Sequence, residues 1–191
     1  MNWKEQLGKY EQCFGKHSEI DWNQAILLTQ KIIENNPDDI EAYIRVIYAL
    51  HNILVEEDFP ASEHDHIAEL LKKFFDESCQ KFSEIPEFLF FIGKIQYISE
   101  WYFGLDDDPK ALEDRLAFKM QKKAFAKEPE NILYEWALCF SKNEKQRAFD
   151  LSKQLLYGNT GNLQWLKTKG FPGKHLIESI EYCYKNYKEI I

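Results

Sequence analysis

Ala25-(x6)-Ile32-(x4)-Pro37-Asp38-Asp39-Ile40-Glu41-Ala42-Tyr43 is the stretch that decides the fold class. Pro37 has no backbone N–H and disfavours helical geometry at Asn36, so the amphipathic helix written by Trp22, Ala25, Ile26, Thr29, Ile32 and Ile33 must stop there. Asp38 or Asp39 then offers a carboxylate to cap the next helix. The apolar face of that helix reads Ile40, Tyr43, Ile44, Ile47, Leu50, His51 and Leu54 at three- and four-residue steps. Two helices joined by so short a turn pack antiparallel.

The same grammar runs outward in both directions. Helical periodicity or caps mark residues 2–14, 22–36, 39–56, 63–80, 86–103, 109–128, 131–142, 144–157 and 175–190, with a short helix at 161–168. Five of the six prolines fall between these segments or in their first turns. No alternating β pattern with turn dipeptides occurs, so the expectation is an all-α chain of nine or ten helices. At 191 residues and 45% hydrophobic, with 15% aromatic, the chain can bury one good core, and a single domain spanning 1–191 is expected.

Two helices stand out. The segment around Phe88 carries Phe88, Phe91, Ile92, Ile95, Ile98 and Tyr102 on one side and Phe90, Tyr97 and Trp101 on another, which predicts a central helix buried between neighbours. Gly93 in its middle costs about 1 kcal/mol against alanine, which implies a close crossing with another backbone. The last helix sets Leu176, Ile177, Ile180, Cys183, Tyr184, Tyr187 and Ile191 against Glu178, Glu181, Lys185 and Lys188, as a helix closing an array should.

Motifs for chemistry are missing. His64-Asp65-His66 invites a metal, but Ser62-Glu63-His64-Asp65 reads as a capping box, and helical residues two apart point about 200° apart. No Gly-x-Ser-x-Gly, phosphate loop or C-x-x-C pair occurs; Lys167, Lys169 and Lys174 lie in or beside a glycine-containing loop whose Phe171 can fold back as an anchor. Cys13, Cys79, Cys139 and Cys183 sit among helical apolar positions and read as reduced core thiols. The chain is therefore expected not to be an enzyme and to use no metal or cofactor. Its first residues lack a basic segment followed by an apolar one, and no run approaches roughly 18 apolar residues, so a cytoplasmic protein with no membrane contact is expected.

Charge points to a partner. Residues 1–60 carry 5 Lys/Arg and 11 Asp/Glu, residues 61–120 carry 7 and 13, and residues 121–191 carry 12 and 8, within a formal −8. An acidic body ahead of a mildly basic tail repels nucleic acid and attracts a cationic protein. Three clusters concentrate the acidity: Asp38-Asp39, Glu56-Glu57-Asp58 and Asp106-Asp107-Asp108. The first and third stand where a helix begins and have capping to explain them. Glu56-Glu57-Asp58 stands at a helix C-terminus, where the dipole disfavours negative charge, and is the leading candidate for an interface.

The stretch from Asn23 to Leu50 resembles the end of one tetratricopeptide repeat and the start of the next: small Ala25, apolar Ile32 and helix-ending Pro37, then Tyr43, Val46 and Leu50. A second echo with the same spacing runs through Ala117, Ala124 and Pro129 into Ile132-Leu133-Tyr134-Glu135-Trp136-Ala137-Leu138. The two prolines lie 92 residues apart, off the roughly 34-residue period of that family, and Thr29 and Gln121 stand where a larger apolar residue is usual. The resemblance implies a short irregular array of stacked antiparallel hairpins, and a binding function.

In size, acidity and lack of catalytic motifs the chain is also similar to the immunity proteins that neutralise toxins in bacterial contact-dependent growth inhibition. That likeness implies one folded partner, a cationic, nuclease-type toxin domain whose active site or substrate groove is blocked. The alternative is a tetratricopeptide-type adaptor or chaperone that takes an extended peptide with residues such as Asn23 or Arg45.

Overall fold

The computed structural model describes residues 2–16, 20–105, 111–158 and 160–187. Among these the chain is all-α, with ten α-helices and no strand. They are α1 (Trp3–Glu11), α2 (Trp22–Asn35), α3 (Ile40–Glu56), α4 (His64–Phe82), α5 (Pro86–Ile95), α6 (Leu116–Lys127), α7 (Ile132–Ser141), α8 (Lys145–Tyr157), α9 (Asn162–Lys167) and α10 (Gly170–Tyr187). Short 3₁₀ turns occupy Ala61–Glu63, Glu100–Phe103 and Leu112–Asp114. No helix among the described residues is long and apolar enough to cross a membrane.

The chain divides into two compact units: Met1–Ser83 with Glu100–Asp106, and Glu84–Ser99 with Asp107–Ile191. In the first, α1 packs on α2, α2 on α3 and α3 on α4. The turn at Pro37 works as its residues require: Asp39 accepts from the backbone N–H of Glu41 (2.9 Å) and Ala42 (3.3 Å), and α3 starts at once. α3 is the core of this unit, with every residue from Ala42 to His51 buried. Arg45 is among them, and its guanidinium is held by both carboxylate oxygens of Glu11 at 3.0 and 2.5 Å. Hydrophobic burial drives the assembly, and this ion pair fastens α1 to α3 inside it.

In the second unit α5 packs on α6, α6 on α7, α7 on α8, and α10 on both α8 and α9. α5 is buried all round from Phe88 to Ile95. Gly93 provides the close crossing: a Cβ there would stand 3.0 Å from the Ala117 carbonyl oxygen and 3.1 Å from Met120 Cβ, both on α6. Gln121, polar where an apolar residue is usual, donates from Nε2 to the Gly93 carbonyl (2.9 Å) and accepts from the Ser141 hydroxyl (2.6 Å). One buried amide thereby links α5, α6 and α7 with its hydrogen bonds satisfied.

Four expectations are revised. A single helix over 86–103 does not form; α5 ends at Ile95, where the Ile98 N–H turns back to the Ile95 carbonyl (3.1 Å). Phe103 belongs instead to the first unit, packed on His51 and Phe75. Two helices rather than one are buried all round, α3 and α5. The segment 170–174 is not a loop: α10 begins at Gly170, because Pro172 is tolerated in a first turn and Gly173 lets α9 approach. A Cβ at Gly173 would lie 1.8 Å from the Leu166 carbonyl oxygen. The capping box at Ser62 is absent, since the 3₁₀ turn runs straight into α4 with no side-chain cap.

Candidate functional site

The site grows from the turn after Ser99. Gly104 adopts φ +71°, a conformation that favours glycine, and a Cβ there would fall 2.6 Å from Lys72 Cε on α4. Beside it Phe103 is drawn inward, edge-on to Phe75 (centroids 5.1 Å apart) and flat against His51 (5.9 Å). With Phe103 as anchor, its neighbours lie at the surface. Tyr102 is half-buried and Trp101 is 53% exposed. A large apolar ring left this open on a well-anchored turn is an unusual expenditure of surface, and tryptophan and tyrosine are the residues enriched where partners bind.

Trp101 does not stand alone. Its ring lies 5.7 Å from Tyr102, Tyr102 lies 5.7 Å from His64, and His64 stacks at 6.3 Å and 10° on Phe59. His64 Nε2 and the Tyr102 hydroxyl share a 2.9 Å hydrogen bond, which holds the row together. The sequence neighbours of these rings are acids: Asp58 before Phe59, Glu63 and Asp65 around His64, and Glu100 before Trp101. Glu100 Oε1 is buried with no hydrogen-bond partner among the described residues. Ring faces beside carboxylates suit a lysine or arginine side chain, through cation–π attraction and charge-assisted hydrogen bonds.

The acidic residues nominated from sequence are not gathered in one place. Asp38 and Asp39 precede α3 while Glu56 ends it and Glu57 and Asp58 follow, and the 17 residues of α3 put the two groups roughly 24 Å apart along its axis. Asp39 is the α3 cap, and Asp38 lies 3.6 Å from Lys81. Glu57 has a structural use after all: Oε1 accepts from the Gly15 N–H (2.8 Å) and from Asn52 Nδ2 (3.0 Å), tying the end of α1 to α3. Glu56 and Asp58 stay exposed, Asp58 next in the chain to Phe59 of the aromatic row, while the Asp58 carbonyl accepts from the Trp22 indole (3.1 Å). Asp106, Asp107 and Asp108 lie outside the described residues.

Most other residues singled out in the sequence serve pairing and packing. Arg45, offered as a peptide contact, is 4% exposed and committed to Glu11, whereas Asn23 is exposed. Lys169 is bound to Glu87 (2.7 Å) and lies over the Trp165 ring, and Lys174 lies 3.7 Å from Glu178. The four cysteines form no disulfide; Cys139 and Cys183 are buried, and burial pushes the Cys79 and Cys139 thiols up to about 12, far from reactive thiolates.

The division into units also sharpens the charge pattern. The first unit holds 8 Lys/Arg against 18 Asp/Glu, a formal −10, and the second holds 16 against 14, a formal +2. The aromatic row lies on the acidic unit. What sequence reasoning missed was the row itself, because Trp101 and Tyr102 were absorbed into a helix stripe. Lys94 was missed as well: on the apolar α5 its ammonium lies 4.9 Å from the Trp136 ring and 4.3 Å from Phe140, and no carboxylate pairs with it among the described residues. Burial lowers its pKa to about 8.

Among the described residues no three His, Cys, Asp or Glu side chains gather as a metal set. Compared with known proteins, the chain matches no family model, no curated protein and no solved structure.

Proposed function

We propose that this chain is a non-catalytic binding module whose acidic first unit docks one basic, folded protein domain, and that it acts as an immunity protein, neutralising a nuclease-type toxin by covering its cationic substrate groove. The observation that carries the reading is Trp101: an indole 53% exposed, on a turn anchored by the buried Phe103 and next in the chain to Glu100. On a unit of formal charge −10, such an anchor meets the two requirements of a tight electrostatic interface. Long-range attraction speeds encounter with a basic face, and a desolvated aromatic core slows dissociation.

The test is capture of partners from the native cell at low and moderate salt, followed by kinetics with the purified partner. The expected result is one stoichiometric basic domain whose nucleic-acid cleavage this chain abolishes. Trp101→Ala should raise the dissociation rate by roughly thirtyfold, about 2 kcal/mol. Replacing Glu56 and Asp58 with lysine should slow association, most at low salt. A partner bound equally well by all three variants would remove the aromatic row from the account, and a partner that retains full activity when saturated would remove neutralisation.

A further inference from the structure

A second surface of the first unit has the opposite chemistry. Between α1 and α2 run two cavities of about 340 Å³ each, which share Gln6, Leu28 and Lys31 and so join into one groove. The charged side chains that line it are Lys9 and Lys31, on a unit with more than twice as many acids as bases. Leu27 is 45% exposed at its wall and Leu28 half-buried along it. The amides of Gln6 and Gln24, the Tyr10 hydroxyl and the Lys31 amine have no partner among the described residues. A groove where free donors and acceptors gather beside open leucine, with the local charge reversed, is built differently from the surface around it.

We infer that this groove takes an extended peptide segment of a partner, carrying carboxylates and at least one apolar side chain. Length favours a peptide over a small acid: from Gln24 to Asn35 along α2 is roughly 16 Å, the reach of about five residues of extended chain. The chemistry of the walls agrees. Primary amides both donate and accept, as peptide N–H and C=O groups require, and Asn35 and Asn36 give their NH₂ groups to the Lys31 and Ile32 carbonyls (2.8 Å each), keeping side-chain oxygens as acceptors. Lys31 selects an acidic side chain, and Leu27 with Leu28 accepts an aliphatic one. This inference does not rest on the proposed function, because its residues and the sign of its partner both differ.

The experiment is fluorescence polarisation on the full chain with a labelled hexapeptide, Ser-Leu-Glu-Leu-Glu-Ser, at low salt. Saturable binding is expected, weakened about tenfold by Lys31→Glu and by Leu27→Asp and unchanged by Trp101→Ala. Lys31 and Leu27 are exposed, so both variants should give circular dichroism melts like the parent's. Any of four results would overturn the inference. One is no saturation up to about 1 mM peptide; another is equal binding of the peptide with lysine in place of glutamate. The third is displacement of the probe by succinate at the concentration at which unlabelled peptide displaces it, which would assign the groove to a small dicarboxylate. Loss of binding in Trp101→Ala alone would instead place the peptide on the aromatic row.

Discussion

Replacing Lys94 with methionine should make the protein more stable near neutral pH, and the gain should vanish in alkali. Lys94 is 8% exposed in the second unit, and burial brings its pKa from 10.5 to about 8. Below pH 8 the ammonium is charged in both the folded and the unfolded chain, and the folded chain bears the full cost of holding it out of water. At about 1.4 kcal/mol per unit, that cost is about 3 kcal/mol. Between pH 8 and 10.5 the unfolded chain binds the proton and the folded chain does not, so this residue's contribution to stability rises with pH. Above 10.5 both are neutral and the cost is gone. Methionine keeps the length of the side chain and its contact with the Trp136 and Phe140 rings but forfeits cation–π attraction of about 1–2 kcal/mol.

The net gain at pH 7 should therefore be about 1–2 kcal/mol. Urea unfolding of parent and variant across pH 7 to 10.5 measures it, and only the difference between them is informative. The reason is that Cys79 and Cys139 hold their protons up to about 12 in the folded chain, which lowers the stability of both proteins alike as pH passes the ordinary thiol value. His175 offers an independent reading. Its pKa is lowered by burial first and by the Lys94 charge second, so removing that charge should raise it part of the way back, a change visible by NMR titration. A variant less stable than the parent at pH 7, or a stability difference unchanged from pH 7 to 10.5, would refute the account of Lys94.

Four further outcomes can be checked by thermal and urea melts. Gly173→Ala should cost 3 kcal/mol or more, about the limit of ordinary overpacking, because the Leu166 backbone stands where the methyl must go. Gly93→Ala should cost less, about 1–2 kcal/mol, since its contacts with α6 are near 3 Å and helix propensity returns about 1 kcal/mol. Glu11→Gln should cost about 3 kcal/mol, because the Arg45 guanidinium is left with the Lys4 carbonyl and the Glu41 carboxylate 3.9 Å away, whereas Glu11→Leu with Arg45→Met should be close to neutral. Phe103→Ala should cost about 3–5 kcal/mol and release the 100–105 turn, shifting Trp101 fluorescence without altering the second unit's helices.

Much of the architecture was legible in the chain because helices announce themselves locally. Pro37 and Asp39 stop one helix and start another through groups they carry, and the three- and four-residue rhythm of Ile40 to Leu54 needs no distant partner to be read. Gly93 was legible too, since a glycine that weakens an apolar helix implies a backbone close by, and Ala117 supplies it. The site was not legible. The stripe from Phe88 to Tyr102 has the same rhythm before and after Ile95, so nothing local separates a buried helix from the turn that exposes Trp101. That is decided by Phe103 packing on His51 and Phe75, residues far away in sequence. The roles of the acidic clusters were not legible for the same reason: a carboxylate's identity is written in the chain, but whether it meets solvent, as Glu56 does, or the Gly15 N–H, as Glu57 does, depends on which backbone folds against it. The sequence by itself thus determined the helical class and the stops that carry their own signal, such as Pro37 with Asp39, which are set by interactions within a few residues, while the tertiary structure alone decided where α5 ends and which rings and charges remain exposed to solvent, because burial is a property of long-range packing.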